Sequence, residues 1–443
     1  MQLIIRTIKK YNLFNNQGII FRIFLTLILF FSFICLSAQT RINSPYSIYG
    51  IGHIPSRSNN VRSMSMGGIA YALSSPGFIN VANPASYTAF DSISFVFDGG
   101  IFGALVTLKS VNLSQKTNYA SINYLTFGFP VTKWWRSSFG LLPFSDVGYN
   151  ISNEVVIDDV GLVRYLTQGL GGLNQVYWGN AIKINDNLSF GVNAAYLFGT
   201  IDKQLSTTFP DSVEMINTRI YNSITADDFY FTYGLQYRKE IKNRLILGAG
   251  VVFSNSTKIK AQKKHLVTSY FGSSLANIAF FRDTIEYNPS IRGDIILPGY
   301  IGLGLVLQKT DKWLIGADYT WQNWKKYSAF DSEDSLKNSM NISVGGQFTP
   351  NRYSILSYWE RVNYRIGFRY YSSYLELQNK QINGFGISFG LGFPLRKSRS
   401  TINIGFEIGQ FGTTDNKLLQ ENIIKFTLGI SIYERWFVKS KYK

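Results

Sequence analysis

Residues 340–348 read MNISVGGQF, and the way they alternate decides the fold. Met340, Ile342, Val344, Gly346 and Phe348 fall on one face; Asn341, Ser343, Gly345 and Gln347 fall on the other. Successive side chains of a strand point to opposite faces, so this is a strand with one apolar face and one polar or glycine face. Ile402, Ile404, Phe406 and Ile408 alternate with Asn403, Gly405, Glu407 and Gly409 in the same way. The pattern returns at Leu188–Gly199, Phe229–Arg238, Leu245–Ser254, Ile301–Gln308 and Lys425–Ile432. Apolar residues outward and polar or glycine residues inward suit a closed barrel in lipid. A soluble sandwich would turn its polar face outward.

Working outward, short connections are expected at Val131–Lys133, Asn185–Asn187, Glu240–Asn243, Thr310–Lys312, Thr349–Tyr353 and Arg396–Arg399. Long ones fall near 108–117, 146–172, 203–226, 257–298, 324–338, 375–382 and 412–421, and the 257–298 region has room for an extra hairpin. The class is therefore all-β: a transmembrane antiparallel β-barrel of about 14 strands, occupying 92–437. Short turns face the periplasm and long loops the exterior. A basic tail, 438–443, then lies on the periplasmic side, and the last strand closes on the first. Trp134, Trp135, Trp178, Trp313, Trp321, Trp324, Trp359 and Trp436 sit near expected strand ends, as aromatic girdles do.

Composition agrees. Charged residues are 16%, below the ~25% of ordinary globular domains, while aromatics are 16% and glycine numbers 39. The net charge of +17 is scattered over loops and turns, which points to anionic lipid and lipopolysaccharide rather than nucleic acid. Lys258, Lys260, Lys263 and Lys264 form a basic run in the longest loop, a solvated loop or a site for lipopolysaccharide phosphates.

The chain opens with an export signal. Lys9, Lys10 and Arg22 precede the apolar run Ile23–Leu36, and Ser37-Ala38-Gln39 offers cleavage after Ala38. The run is shorter than the roughly 20 residues of a spanning helix. Residues 1–38 are read as a cleavable signal peptide, which sends the protein to the outer membrane of a Gram-negative-type envelope. Cys35, the only cysteine, leaves with it.

Between signal and barrel, 39–91 form an N-terminal extension and a compact stretch, Arg62–Tyr87, unlike any of the strands. Gly67 and Gly68 allow a bend, and Asn83-Pro84-Ala85 reads as a capped turn. This stretch, with Arg62, Met64, Met66, Gly67, Gly68, Asn83 and Pro84, is expected to be a plug in the lumen; a lead-in along the barrel rim is the alternative. Gly384, Gly386, Ser388, Gly390 and Gly392 leave one strand face nearly bare, so it is the strand expected to face the plug. In the third strand, WWRSSFGLLPFSD (134–146), Pro143 removes a donor from the ladder and Gly140 supplies slack. Either the strand kinks there, or the proline lies above the bilayer.

Arg62-Ser63-Met64-Ser65-Met66-Gly67-Gly68 and Asn83-Pro84-Ala85, followed by about fourteen strands, resemble the long-chain fatty acid outer-membrane transporters of FadL/TodX type. Ala317–Trp324 (ADYTWQNW) and Tyr364-Arg365-Ile366-Gly367 add to the likeness. Ser44–Gly52 (SPYSIYGIG) and Trp436-Phe437-Val438-Lys439 resemble the divergent branch near type IX secretion barrels. The resemblance implies a hatch before the first strand, and a kink in the third strand that opens a lateral window. Gly140, Pro143, Phe144 and Ser145 would line that gate.

Catalytic readings are weak. Gly386-Ile387-Ser388-Phe389-Gly390 spells G-x-S-x-G, yet it sits inside an unbroken strand rather than a strand–turn–helix. His53 and His265, the only histidines, are too isolated for a metal cluster. The chain is read as a non-enzyme with neither cofactor nor metal. Two functions remain, the first the one the sequence favours and the second its alternative. In the first, small hydrophobic, fatty-acid-like molecules cross by passive diffusion through plug rearrangement and a lateral window. In the second, a non-transporting scaffold or shuttle partner serves a secretion or barrel-assembly complex, with protein partners in the envelope.

Overall fold

The computed structural model describes residues 42–54, 60–211, 215–242, 244–271, 280–333, 336–395 and 398–435. The expected signal peptide, Trp436 and the basic tail lie outside the described residues. No helix among the described residues is long and apolar enough to cross a membrane; the chain is built from strands.

Fourteen antiparallel strands close a barrel. In order they are β1 (Ser94–Lys109), β2 (Ser114–Pro130), β3 (Trp135–Ile157), β4 (Gly161–Lys183), β5 (Leu188–Thr208), β6 (Asn217–Lys242) and β7 (Leu245–Ser254). Two loop strands follow, β8 (Thr257–Phe271) and β9 (Phe280–Leu297), then β10 (Tyr300–Lys309) and β11 (Trp313–Gln322). A small loop hairpin, β12 (Ser328–Ala329) and β13 (Ser332–Glu333), precedes β14 (Ser339–Phe348). The wall ends with β15 (Asn363–Leu377), β16 (Lys380–Pro394), β17 (Thr401–Gly412) and β18 (Gln420–Arg435). Closure is by β1 on β18, in register from Ser94↔Arg435 to Lys109↔Gln420. The outer face carries the apolar half of each alternation: Leu305 is 61% exposed and Ile315 59%, as expected of side chains that meet lipid.

Several connections differ from expectation. The long loop expected at 146–172 is mostly ladder: β3 and β4 stay paired up to Ile157↔Gly161. The extended hairpin keeps its backbone groups satisfied without a separate loop fold. The 257–298 region does hold an extra hairpin, β8–β9, whose β8 pairs with the first part of β6, from Asn217↔Tyr270 to Ala226↔Ala261. It leaves the wall unchanged, because β7 pairs directly with β10 from Leu245↔Lys309 to Ser254↔Tyr300. The turn expected at Thr349–Tyr353 runs instead to 362, with a short 3-10 helix at Trp359–Arg361. Trp324 departs from the girdle as well. It is 2% exposed and stacks on Tyr374 at 4.1 Å between centroids, so it packs inward.

Candidate functional site: the lumen and the β2–β3 gap

Residues 60–90 are buried or half-buried throughout, against inward-facing side chains of the wall. A short helix, Val61–Met64, is capped by Asn60, whose side chain accepts from the Arg62 nitrogen at 2.9 Å. Met64 and Met66 are 8% and 0% exposed. The chain then reverses at Gly67, whose φ of +70° disfavours any side chain. There the Gly67 nitrogen donates to Ser388 Oγ at 2.8 Å. The Ala70 and Tyr71 nitrogens donate to Asp318 Oδ2 on β11, at 2.6 and 2.9 Å. Asn83 caps the 3-10 helix Pro84–Ala89 and donates to the Tyr71 carbonyl at 2.6 Å, while Pro84 takes the position that needs no N–H. Asp98 on β1 accepts from Asn60, Tyr124 and Ser431. Backbone donors of the segment thus end on wall carboxylates and hydroxyls, which a buried irregular stretch needs.

The strand expected to be bare beside this segment divides differently. A Cβ on Gly390 would strike the Ser65 side chain. At Gly384, Gly386 and Gly392 it would meet Tyr371, Glu407 and Arg365 instead, because the lumen there is filled by wall side chains. Closer approaches occur at Gly345 and Gly367, whose Cβ positions fall on the Met66–Gly67 backbone. Nothing in the sequence sets these two glycines apart from the other inward-facing ones. Ser388, the centre of G-x-S-x-G, accepts the Gly67 N–H and lies in continuous ladder.

The wall opens between β2 and β3. Their ladder runs from Pro130↔Arg136 to Leu125↔Leu141 and stops there. Gly140 lies just below, so close to β2 that a Cβ would meet Thr126. On the β4 side the register slips between Pro143 and Ser145, leaving Phe144 as a bulge. Residues 142–149 are all buried, so β3 turns in toward the lumen. Phe144 meets Tyr230 edge to face at 5.5 Å. Ser145 Oγ accepts from the Leu173 nitrogen at 3.3 Å. A cavity of about 60 Å³ lies beside Pro143 and Phe144, between the kink and Val81 of the lumen segment.

The vacated edge of β3 is occupied by the chain's own N-terminal stretch. His53 and Asp146 form an antiparallel bridge, and the Ser44 nitrogen donates to the Gly148 carbonyl at 2.8 Å. The same stretch crosses the upper lumen: Asn43 donates to Thr117 on β2, Lys203 on β5 to the Ile48 carbonyl, and Tyr374 on β15 to the Gly52 carbonyl, each at 2.7 Å. Tyr46 packs edge-on to Phe411 at 5.2 Å and bonds to the Leu419 carbonyl.

Below, the mouth at the short-turn end of the barrel is a vestibule of about 1070 Å³ lined by nine Lys or Arg residues and two carboxylates. Arg352 pairs with Asp311 at 3.3 Å, and Tyr353 donates to the same carboxylate, which raises the Tyr353 pKa. His265, the second histidine, sits on the outer hairpin against Asn222.

A family model described as BamG matches residues 19–443. No curated protein matches the sequence. Among solved structures, the toluene transporter TodX of Pseudomonas putida is similar at a TM-score of 0.54 and 16% identity, over 85% of this chain and 98% of that one. The toluene transporter TbuX of Ralstonia pickettii gives 0.55 and 13%, over 84% and 97%. A Pseudomonas aeruginosa FadL homologue gives 0.53 and 12%, over 85% and 98%. At these identities the likeness is one of fold, and it is the fold of outer-membrane hydrocarbon channels rather than of enzymes.

Proposed function

The chain belongs to the BamG family, and we propose that it works as a structural partner in an outer-membrane barrel-assembly or secretion complex, its own conduit held shut. The observation that carries this is the bridge from His53 to Asp146, with Ser44 on Gly148. The edge that β3 exposes on leaving β2 is the natural lateral exit for an apolar solute, and the N-terminal stretch takes it. Beneath it, residues 60–90 act as the plug, held by Ser388 and Asp318. Side-chain-sized space beside the kink amounts to about 60 Å³, well under the roughly 300 Å³ at which ligand pockets begin. The family match supports a partner role in barrel assembly.

The test is extraction from membranes in mild detergent, followed by identification of the proteins and lipids that stay bound. Stoichiometric envelope proteins are the expected result. A barrel recovered alone with hydrophobic small molecules would overturn it.

A second reading has its own support. The β2–β3 separation above Leu125↔Leu141, on a fold shared with TodX, suits passive diffusion of small hydrophobic molecules. Gly140, Pro143, Phe144 and Ser145 would then form the gate, opened by withdrawal of the N-terminal stretch.

A further inference from the structure

The periplasmic vestibule is over-supplied with positive charge. Of the nine cations that line it, Arg352 is paired with Asp311 and Arg399 with Asp91. The other seven, among them Arg62, Lys312, Arg361 and Arg365, make no ion pair among the described residues. Two are poorly satisfied in other respects too: the buried Nε atoms of Arg62 and Arg361 have no hydrogen-bond partner among the described residues. Arg365 is 6% exposed and, among the described residues, its side chain bonds to the neutral Gln347 and Asn403. Uncompensated guanidinium groups in a recess cost free energy that an incoming anion would recover, and a walled cleft of one sign concentrates counter-charges.

We propose that this vestibule receives an acidic polypeptide segment of a periplasmic partner. A single phosphate or carboxylate fits the arrangement poorly. The cations come from the lumen segment (Arg62), from β6, β10, β15 and β18 (Arg238, Lys309, Arg365 and Arg435) and from the turns that carry Lys312, Arg352, Arg361 and Arg399, so they surround the mouth rather than converge. The volume, about 1070 Å³, is at the upper end of small-molecule pockets, which run to roughly 1,000 Å³. Apolar surface is interleaved: Phe78 lies under Arg62 at 4.5 Å, and Trp313, Tyr353 and Leu395 join the lining. Ile355 and Leu356, on the same turn as Arg352 and Arg361, are 98% and 100% exposed and give the rim an apolar lip. A segment of carboxylates mixed with apolar side chains matches both features.

The proposal deepens the partner reading and rests on it. The test uses the full mature barrel in detergent and a fluorescein-labelled peptide of alternating Glu and Leu, followed by anisotropy. The variants are Lys312→Gln with Arg361→Gln, which leave the wall and the lumen segment untouched. Binding that weakens about tenfold or more in the double variant, and that falls as salt rises, is expected. A Gln/Leu peptide should not bind. Equal binding by the double variant overturns the proposal. So does displacement by inorganic phosphate at equal concentration, or binding of lipopolysaccharide micelles in place of the peptide. Retrieval of the barrel's partners from cells separates the two failures. Partners recovered equally by the double variant remove the vestibule and keep the partner role. Charge-dependent peptide binding by a barrel that retrieves no protein removes the partner role and keeps the site.

Discussion

His53 and Asp146 exchange both backbone hydrogen bonds, His53 N to Asp146 O at 2.8 Å and Asp146 N to His53 O at 2.9 Å. One belongs to the N-terminal stretch and the other to the inward-turned part of β3, so a wall that β2 leaves unfinished is completed from within. Gly148, two residues on, shows how close the fit is, because a Cβ there would strike the Ile42 carbonyl.

Gly148→Val should therefore push the stretch off β3 while β3 and β4 stay paired. Ile51 is 2% exposed. A cysteine placed at Ile51 should resist a maleimide in the parent barrel and react within minutes in the Gly148→Val background. Equal protection in both would mean that the stretch is held from elsewhere.

Glycine substitutions should sort by what their Cβ would meet. Gly367→Ala forces a methyl onto the Gly67 backbone and is expected to cost about 1–3 kcal/mol, the usual penalty of overpacking. Gly103 has nothing within 4 Å, so Gly103→Ala should be close to neutral. The midpoint of heat-induced unfolding on a gel reports both.

Asp318→Ala removes the acceptor of two buried N–H groups, those of Ala70 and Tyr71. Each orphaned donor costs about 1–3 kcal/mol. Amide exchange at residues 69–73 should quicken while the strands keep their protection. Uniform loss of protection would show instead that the whole barrel had loosened.

The outward face makes a different forecast. Leu305 is near the middle of β10 and 61% exposed, and Leu305→Arg should cost on the order of 2–4 kcal/mol in a bilayer. The same change at Leu113, 78% exposed in the outer β1–β2 turn, should be tolerated. Folding yield into vesicles distinguishes them.

The barrel was legible because its signal is local. Alternation over Met340–Phe348 needs no partner to be read, and six short and seven long connections between such runs give the fourteen strands that close the barrel. β3 parts from β2 after Leu141, and Pro143 lies two residues further on, beside the bulge at Phe144. Residues that depend on three-dimensional neighbours were less legible. Gly386 and Gly367 alternate in the same way, yet only Gly367 meets the lumen segment, since Arg369 and Glu407 fill the space at Gly386. Ser44–Gly52 was legible as a family resemblance, but its role lies in hydrogen bonds to residues 101 to 377 positions away. Trp324 had the composition of a girdle residue and the position of a core one.

One measurement bears most directly on whether the conduit is held shut. His53→Cys with Asp146→Cys places two thiols on a directly bridged pair, within the usual span of a disulfide. Uptake of a labelled monoaromatic hydrocarbon would be followed in cells carrying this barrel oxidised, carrying it reduced, or lacking it. A barrel that serves as a partner predicts equal uptake in all three. Uptake that requires the barrel and falls when the disulfide forms would contradict it, and would make the N-terminal stretch a gate.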